Sequence, residues 1–248
     1  MKIFPVKVDT LDKNYDVFSK IVRGITHDYN NLLTPILAYP ELIKTDIKEG
    51  AKGTNLLKVI ETTAHELLKI NRQLMHIISA GSGQKKDVDV DSLIESLKDS
   101  INGVDGSCGI SLDITCKNNM AIKCHNDDII IALQKIVLNA WDAMDHKGSV
   151  RIIVERTKLP KEKVHSNTGT GDKSYVCFSI IDTGVGIESR HINSIFEPFF
   201  TTKKTQSKRT IGLGLSLAYR LIVSNEGFVG VESVAGQGTT INVYLPAV

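Results

Sequence analysis

The apolar residues of this chain change their period at one place, the stretch AGSGQKK from Ala80 to Lys86. Small and polar residues of that kind suit a linker. Before it, apolar residues recur at helical spacing. Taking His27 as zero at about 100° per residue, Phe18, Val22, Ile25, Tyr29, Leu32, Ile36, Tyr39 and Ile43 fall between about 120° and 220°. A second stretch repeats the stripe through Leu56, Ile60, Ala64, Leu67, Leu74 and Ile78, and EGAKG (Glu49 to Gly53) marks the turn between the two. Pro35 and Pro40 fall within the first helix and favour a kink just past His27. Two helices alone cannot bury both stripes, and the economical solution is a four-helix bundle formed by a homodimer.

After the linker, β-branched runs (ISLDITC, SVRIIVERT, YVCFSIID, TTINVYLP) alternate with helical patterns, which predicts an α/β unit. The expected architecture is therefore α followed by α/β, with a helical hairpin over residues 1–84 and an α/β sandwich over residues 85–248. The polar run KLPKEKVHSNTGTGDK (Lys158 to Lys173) reads as a hairpin excursion.

Composition narrows the function classes. Thirty basic residues against 28 acidic ones give a net charge of +2, which argues against binding nucleic acid or a membrane surface by charge. No run approaches the roughly 18 apolar residues of a membrane span, and the N-terminus lacks a secretory core, so a cytoplasmic location is expected. Cys108, Cys116, Cys124 and Cys177 form no close pair, as a zinc site would need. His65-Glu66 begins like a metalloprotease helix, but Lys69 stands where the second His would be required.

Two groups of residues carry candidate chemistry. In GITHDYNNLLTPILAY, His27 lies opposite the apolar stripe, with Asp28 beside it and Asn31 one turn on. A neutral imidazole is a competent nucleophile when a neighbouring carboxylate orients it or takes its proton. In the second half, IIDTGVGI predicts a strand ending at Asp182, whose carboxylate suits the exocyclic amine of a base. Gly184 and Gly186 follow, expected to let the backbone approach a base or phosphate. Gly212 and Gly214 open the helix of TIGLGLSLAYRLI, a place where backbone amides meet phosphate. Lys203 lies in the basic segment between, and Asn139 and Asp142 share a helix with oxygens suited to Mg²⁺. No GxxxxGK[ST], GxGxxG or GxSxG motif competes with this reading.

Together these residues resemble the sensor histidine kinases of two-component signalling, in the subgroup whose phosphoacceptor motif reads HD[FL]NNLL. The similarity runs from about Val17 to Pro246. The resemblance implies that His27 is the phosphorylated histidine, Asp28 its acidic neighbour, and Asn31 the residue that aligns water for dephosphorylation. It implies that Asn139 binds Mg²⁺ and that Asp182 binds the adenine of ATP. FEPFFTTK, with Lys203, matches the lid. Gly212, Leu213 and Gly214 match the second glycine motif, and Thr239 lies on the closing strand GQGTTINVYLP. It further implies an ATP-binding sandwich shared with gyrase, a heat-shock chaperone family and a mismatch-repair protein. The implied partners are a second copy of the chain, a response-regulator receiver domain and a sensor or activator protein.

Three positions depart from the pattern: Lys135 stands where an earlier Asn is usual, Ile131 where an acidic residue or Gln is usual, and Thr210 where a Gly is usual. They bear on Mg-ATP affinity and keep two alternatives open. One is a histidine phosphotransferase with a degenerate ATP fold. The other is an ATP-gated scaffold or ATPase in which His27 is incidental.

Overall fold

The computed structural model describes residues 4–5, 36, 40, 43, 52–79, 84–102, 110–116, 119–158, 174–202 and 212–248. His27, Asp28, Asn31 and Lys203 lie outside the described residues, as do Cys108 and most of the first predicted helix. The chain divides into two compact units, residues 12–79 and residues 1–11 with 80–248.

In the first unit, Ile36, Pro40 and Ile43 are helical, and helix α1 spans Lys52–Ser79. Leu57, Ala64 and Asn71, spaced seven apart, are its buried positions among those described. Val59, Ile60 and Leu67 are exposed large apolar residues, as are Ile36 and Ile43. The stripe read from the sequence is thus only partly covered within one chain. No helix among the described residues is long and apolar enough to cross a membrane.

The second unit holds a six-stranded mixed sheet and a two-stranded one. Its elements are β1 (Phe4–Pro5), β2 (Lys86–Asp89), α2 (Val90–Asn102), β3 (Ser111–Cys116), β4 (Ala121–Cys124), α3 (Asn126–Ala143), β5 (Ser149–Lys158), β6 (Ser174–Asp182), α4 (Gly214–Ser224), β7 (Phe228–Val234) and β8 (Gly238–Pro246). The larger sheet runs β1-β7-β8-β6-β5-β3, antiparallel except for β3 with β5, and β2 pairs with β4. Lys158 pairs with Ser174, so the polar run between them connects a β5–β6 hairpin. Phe4 pairs with Val231, which puts β1 in this unit, although the expected division placed residues 1–84 with the helices.

One face of the sheet follows from register. Val150, Ile152 and Val154 on β5, Val176, Phe178 and Ile180 on β6, and Ile241, Val243 and Leu245 on β8 alternate along their strands, lie across from one another and are buried. Helices α3 and α4 pack against each other and onto the sheet. Leu133, Ile136 and Val137 of α3 and Leu217, Ala218 and Leu221 of α4 are buried in this core.

Local chemistry sets the helix ends. The Asp89 carboxylate accepts from the Ser92 amide and hydroxyl, both at 2.9 Å, which caps α2 and lowers the Asp89 pKa. Helix α4 stops where Glu226 takes a positive φ of 61° and the Gly227 amide donates to the Ile222 carbonyl. Buried Asn225 then joins two helices. Its Oδ1 accepts from the His125 amide at 2.7 Å, and its Nδ2 donates to the Leu221 carbonyl at 2.8 Å and toward Asp128 Oδ2 at 3.3 Å. The start of α3 is thereby pinned to the end of α4.

Candidate active site

The last row of the inner face is polar. Asp182 ends β6 opposite Thr239 of β8, and Thr239 lies opposite Ser233 of β7. Asp182 is only 7% exposed, and its Oδ1 accepts from the amides of Gly184 at 2.8 Å and Thr239 at 3.2 Å. Oδ2 takes no hydrogen bond from the described residues. Burial pushes the Asp182 pKa above its ordinary value, and the two amide donors offset part of that rise. The result is a desolvated carboxylate with one oxygen locked in place and one still able to accept.

The loop after Asp182 is held from three sides. The Val185 amide donates to the Ala143 carbonyl at the end of α3, and the Gly236 amide donates to the Val185 carbonyl at 2.7 Å. The Ser233 hydroxyl accepts from the Ile187 amide, donates to the Gly238 carbonyl and meets Thr239 Oγ1 at 2.9 Å. Ser233 and Asn225 were not singled out in the sequence, because their partners come from distant segments.

Packing supplies a reason of its own for the glycines. A Cβ on Gly184 would lie 2.5 Å from the Ala143 carbonyl oxygen. On Gly186, whose φ is +66°, it would lie 2.1 Å from that of Val234, and on Gly212, at φ +72°, 2.5 Å from that of Phe200. The protein's own backbone lies against these three glycines, so any side chain there would push the neighbouring segments apart. Gly214 differs: nothing lies within 4 Å of its missing Cβ, at the first position of α4. The Gly212 carbonyl also accepts from the Phe199 amide at 3.0 Å, a bond between residues on either side of 203–211.

On α3, Asn139 is half-buried and Asp142 exposed, the latter 3.9 Å from His146 Nε2. Leu213 is buried beneath the start of α4. The structure thus brings together Asp182, Gly184, Gly186 and Thr239 around one loop, and Gly212, Leu213 and Gly214 at one helix start. Among the described residues no three His, Cys, Asp or Glu side chains are grouped to hold a metal ion. A Mg²⁺ ion here would take most of its ligands from phosphate and water, as that ion prefers.

Over 228 residues the chain is 28% identical to sensor kinase CckA of Brucella abortus, covering 92% of this chain and 24% of that protein. It is 24% identical to sensor histidine kinase ZraS of Escherichia coli K12, covering 91% and 45%. The chain therefore spans less than half the length of these relatives. Its fold is similar to that of full-length ShkA in complex with AMPPNP, with a TM-score of 0.70, 21% identity, and coverage of 92% of this chain and 46% of that one. It is also similar to Acinetobacter baumannii histidine kinase AdeS, with a TM-score of 0.54, 16% identity, and coverage of 88% and 94%. Residues 124–248, half of the chain, match the family described as histidine kinase-, DNA gyrase B- and HSP90-like ATPase, and the chain belongs to that family.

Proposed function

We propose that this chain is an ATP-dependent protein histidine kinase that phosphorylates its own His27 and passes the phosphoryl group to an Asp of a receiver domain. The observation that carries the reading is the Asp182 carboxylate, buried with one oxygen fixed by backbone amides and the other able to accept from an adenine amine. Membership of the ATPase family and the sensor-kinase names of the relatives support it.

In this reading Asp182, Gly184, Gly186 and Thr239 form the base end of the site. Gly212, Leu213 and Gly214, with Lys203 from the lid, form the phosphate end. Asn139 would hold Mg²⁺ through its amide oxygen, with Asp142 on the same helix. Bound Mg-ATP supplies the γ-phosphoryl group. Asp28 orients the His27 ring or takes its proton, leaving one nitrogen able to attack, and Asn31 aligns a water for the reverse dephosphorylation. Positioning and charge neutralisation carry most of such a reaction. A non-hydrolysable ATP analogue is named for the ShkA complex, which is consistent with ATP as the ligand here.

A homodimer fits the helical unit. Ile36, Ile43, Val59, Ile60 and Leu67 are each 43 to 62% exposed in one chain, a set of apolar positions that a second copy would cover. The proposed division is a phosphotransfer half to about residue 84 and an ATP-binding half after it, whose sheet also includes β1. The receiver domain and a sensor or activator protein are the proposed partners, in the cytoplasm where ATP is available.

The test is incubation with γ-labelled Mg-ATP, compared with α-labelled ATP. Acid-labile, base-stable label from the γ position alone, absent from His27→Ala, is expected. Label that persists in His27→Ala would overturn the assignment.

A further inference from the structure

Lys135, which stands on α3 where the resemblance leads one to expect an Asn, is half-buried. We infer that Lys135 contacts the polyphosphate of the bound nucleotide, beside the first turn of α4. This deepens the proposed ATP reading and rests on it.

The direction of its side chain follows from the helix contacts. Asp128 lies on the side of α3 that faces α4, because its carboxylate meets Asn225, the residue that ends α4. Lys135 is seven residues further along and Asn139 eleven, which returns each to within about 20° of Asp128. Gln134 marks the other flank of α3, since its amide donates to Ser100 of α2. Lys135 and Asn139 therefore follow Asp128 along the α4 edge of α3.

Their height along that edge follows from direction. The start of α3 is pinned to the end of α4, so the two helices run antiparallel. Helix α4 has 11 residues. At about 1.5 Å per residue, its first turn is level with a point about eleven residues beyond His125, close to Ile136. Lys135 and Asn139 bracket that level. Gly214, with open space at its missing Cβ, begins α4 at the same height.

The other end of the site fixes the scale. Ala143, against which Gly184 packs, lies eight residues beyond Lys135, a rise of about 12 Å along α3. A nucleotide whose base meets Asp182 and which extends along α3 toward its middle thus brings its phosphates toward Lys135. A nucleoside triphosphate carries about four negative charges. A lysine there adds a full positive charge to the partial one of the helix terminus and to the charge of Mg²⁺. Because Lys135 and Mg²⁺ would neutralise the same phosphates, each should matter more when the other is absent.

The experiment is calorimetric titration of the whole chain with ATP, ADP and AMP, with Mg²⁺ and with EDTA, for wild type, Lys135→Ala, Lys135→Arg and the exposed control Lys147→Ala. Lys135→Ala should weaken ATP binding on the order of tenfold with Mg²⁺ and by more in EDTA, while AMP changes less than about twofold. Lys135→Arg should recover most of the affinity, and Lys147→Ala should match wild type. Unchanged AMP binding would show that Lys135→Ala is folded. Equal ATP affinity in wild type and Lys135→Ala, or an equal loss for AMP and ATP, would overturn the inference and leave the nucleotide reading standing. Absence of ATP binding by the wild type would overturn the nucleotide reading itself, and the inference with it.

Discussion

Gly184→Ala and Gly214→Ala should separate a glycine that packs the protein from one that leaves room for a ligand. In Gly184→Ala the new methyl would lie 2.5 Å from the Ala143 carbonyl oxygen, against an ordinary contact of 3.4 Å or more. The loop and the end of α3 must part by about 0.9 Å, the difference between those two distances. The same carbonyl accepts from the Val185 amide at 3.1 Å, so this movement would take that bond beyond hydrogen-bonding range. Overpacking costs about 1–3 kcal/mol and the lost hydrogen bond about 1 kcal/mol more. For a unit of this size the sum lowers Tm by roughly 5–15 °C. Gly214→Ala meets no atom within 4 Å and gains helix propensity. It should leave the Tm of the nucleotide-free protein unchanged or raise it by about 1–4 °C. Thermal melts of both variants without nucleotide, followed by ATP titration, form the assay. Gly184→Ala should be destabilised before any ligand is added, and Gly214→Ala should lose ATP affinity with its stability intact. A Gly184→Ala protein as stable as wild type would refute the packing argument. A destabilised Gly214→Ala would refute the claim of open space.

Other outcomes follow from the same contacts. Asn225→Ala removes three hydrogen bonds of a buried side chain and leaves the His125 amide without its acceptor, so it should cost about 2–4 kcal/mol in denaturant melts; a loss under about 0.5 kcal/mol would contradict the clamp. Asp182 should protonate in the folded protein at a higher pH than in the unfolded chain, whose ordinary value is 3.8. On acidification through that window the folded state binds the proton first, so this group alone favours folding as pH falls, while ATP affinity drops. ATP titrations from neutral to acidic pH check this, and an affinity that stays flat until the ordinary carboxylate range would count against it. Burial pushes the Cys116 and Cys124 thiols up to about 11 and raises that of Cys177, so all three should resist alkylation of the native protein at pH 8. Rapid modification of two or more cysteines, as read by mass, would contradict those burials.

What the sequence revealed depended on how local each feature is. Strands β3, β5, β6 and β8 are β-branched runs that announce themselves, and β6 ends at Asp182 as its pattern predicts. Strand β7 was not picked out because Gly230, Glu232 and Ser233 break its run, and the four residues of β2 include two aspartates. Strand β1 has two residues and exists only through its pairing with β7, which no local pattern announces. The glycine positions were legible, but the backbone segments they pack against were not. Their partners, Ala143, Val234 and Phe200, belong to other segments of the chain. Asn225 carried a signal in the helix-stop sequence SNEG, yet its role as a clamp depends on His125 and Asp128, about a hundred residues away. The height of Lys135 beside Gly214 likewise needed the antiparallel packing of α3 and α4.

The central proposal is that ATP bound at Asp182 is the donor of the phosphoryl group that His27 accepts. Its most direct test is a time course of γ-phosphate incorporation into wild type, Asp182→Asn and His27→Ala, each shown to be folded by its melt. Acid-labile label should accumulate on the wild type, be absent from His27→Ala, and form at least about tenfold more slowly on Asp182→Asn, which loses an acceptor for the base. Asp182→Asn labelled at the wild-type rate at an ATP concentration below saturation would contradict the account.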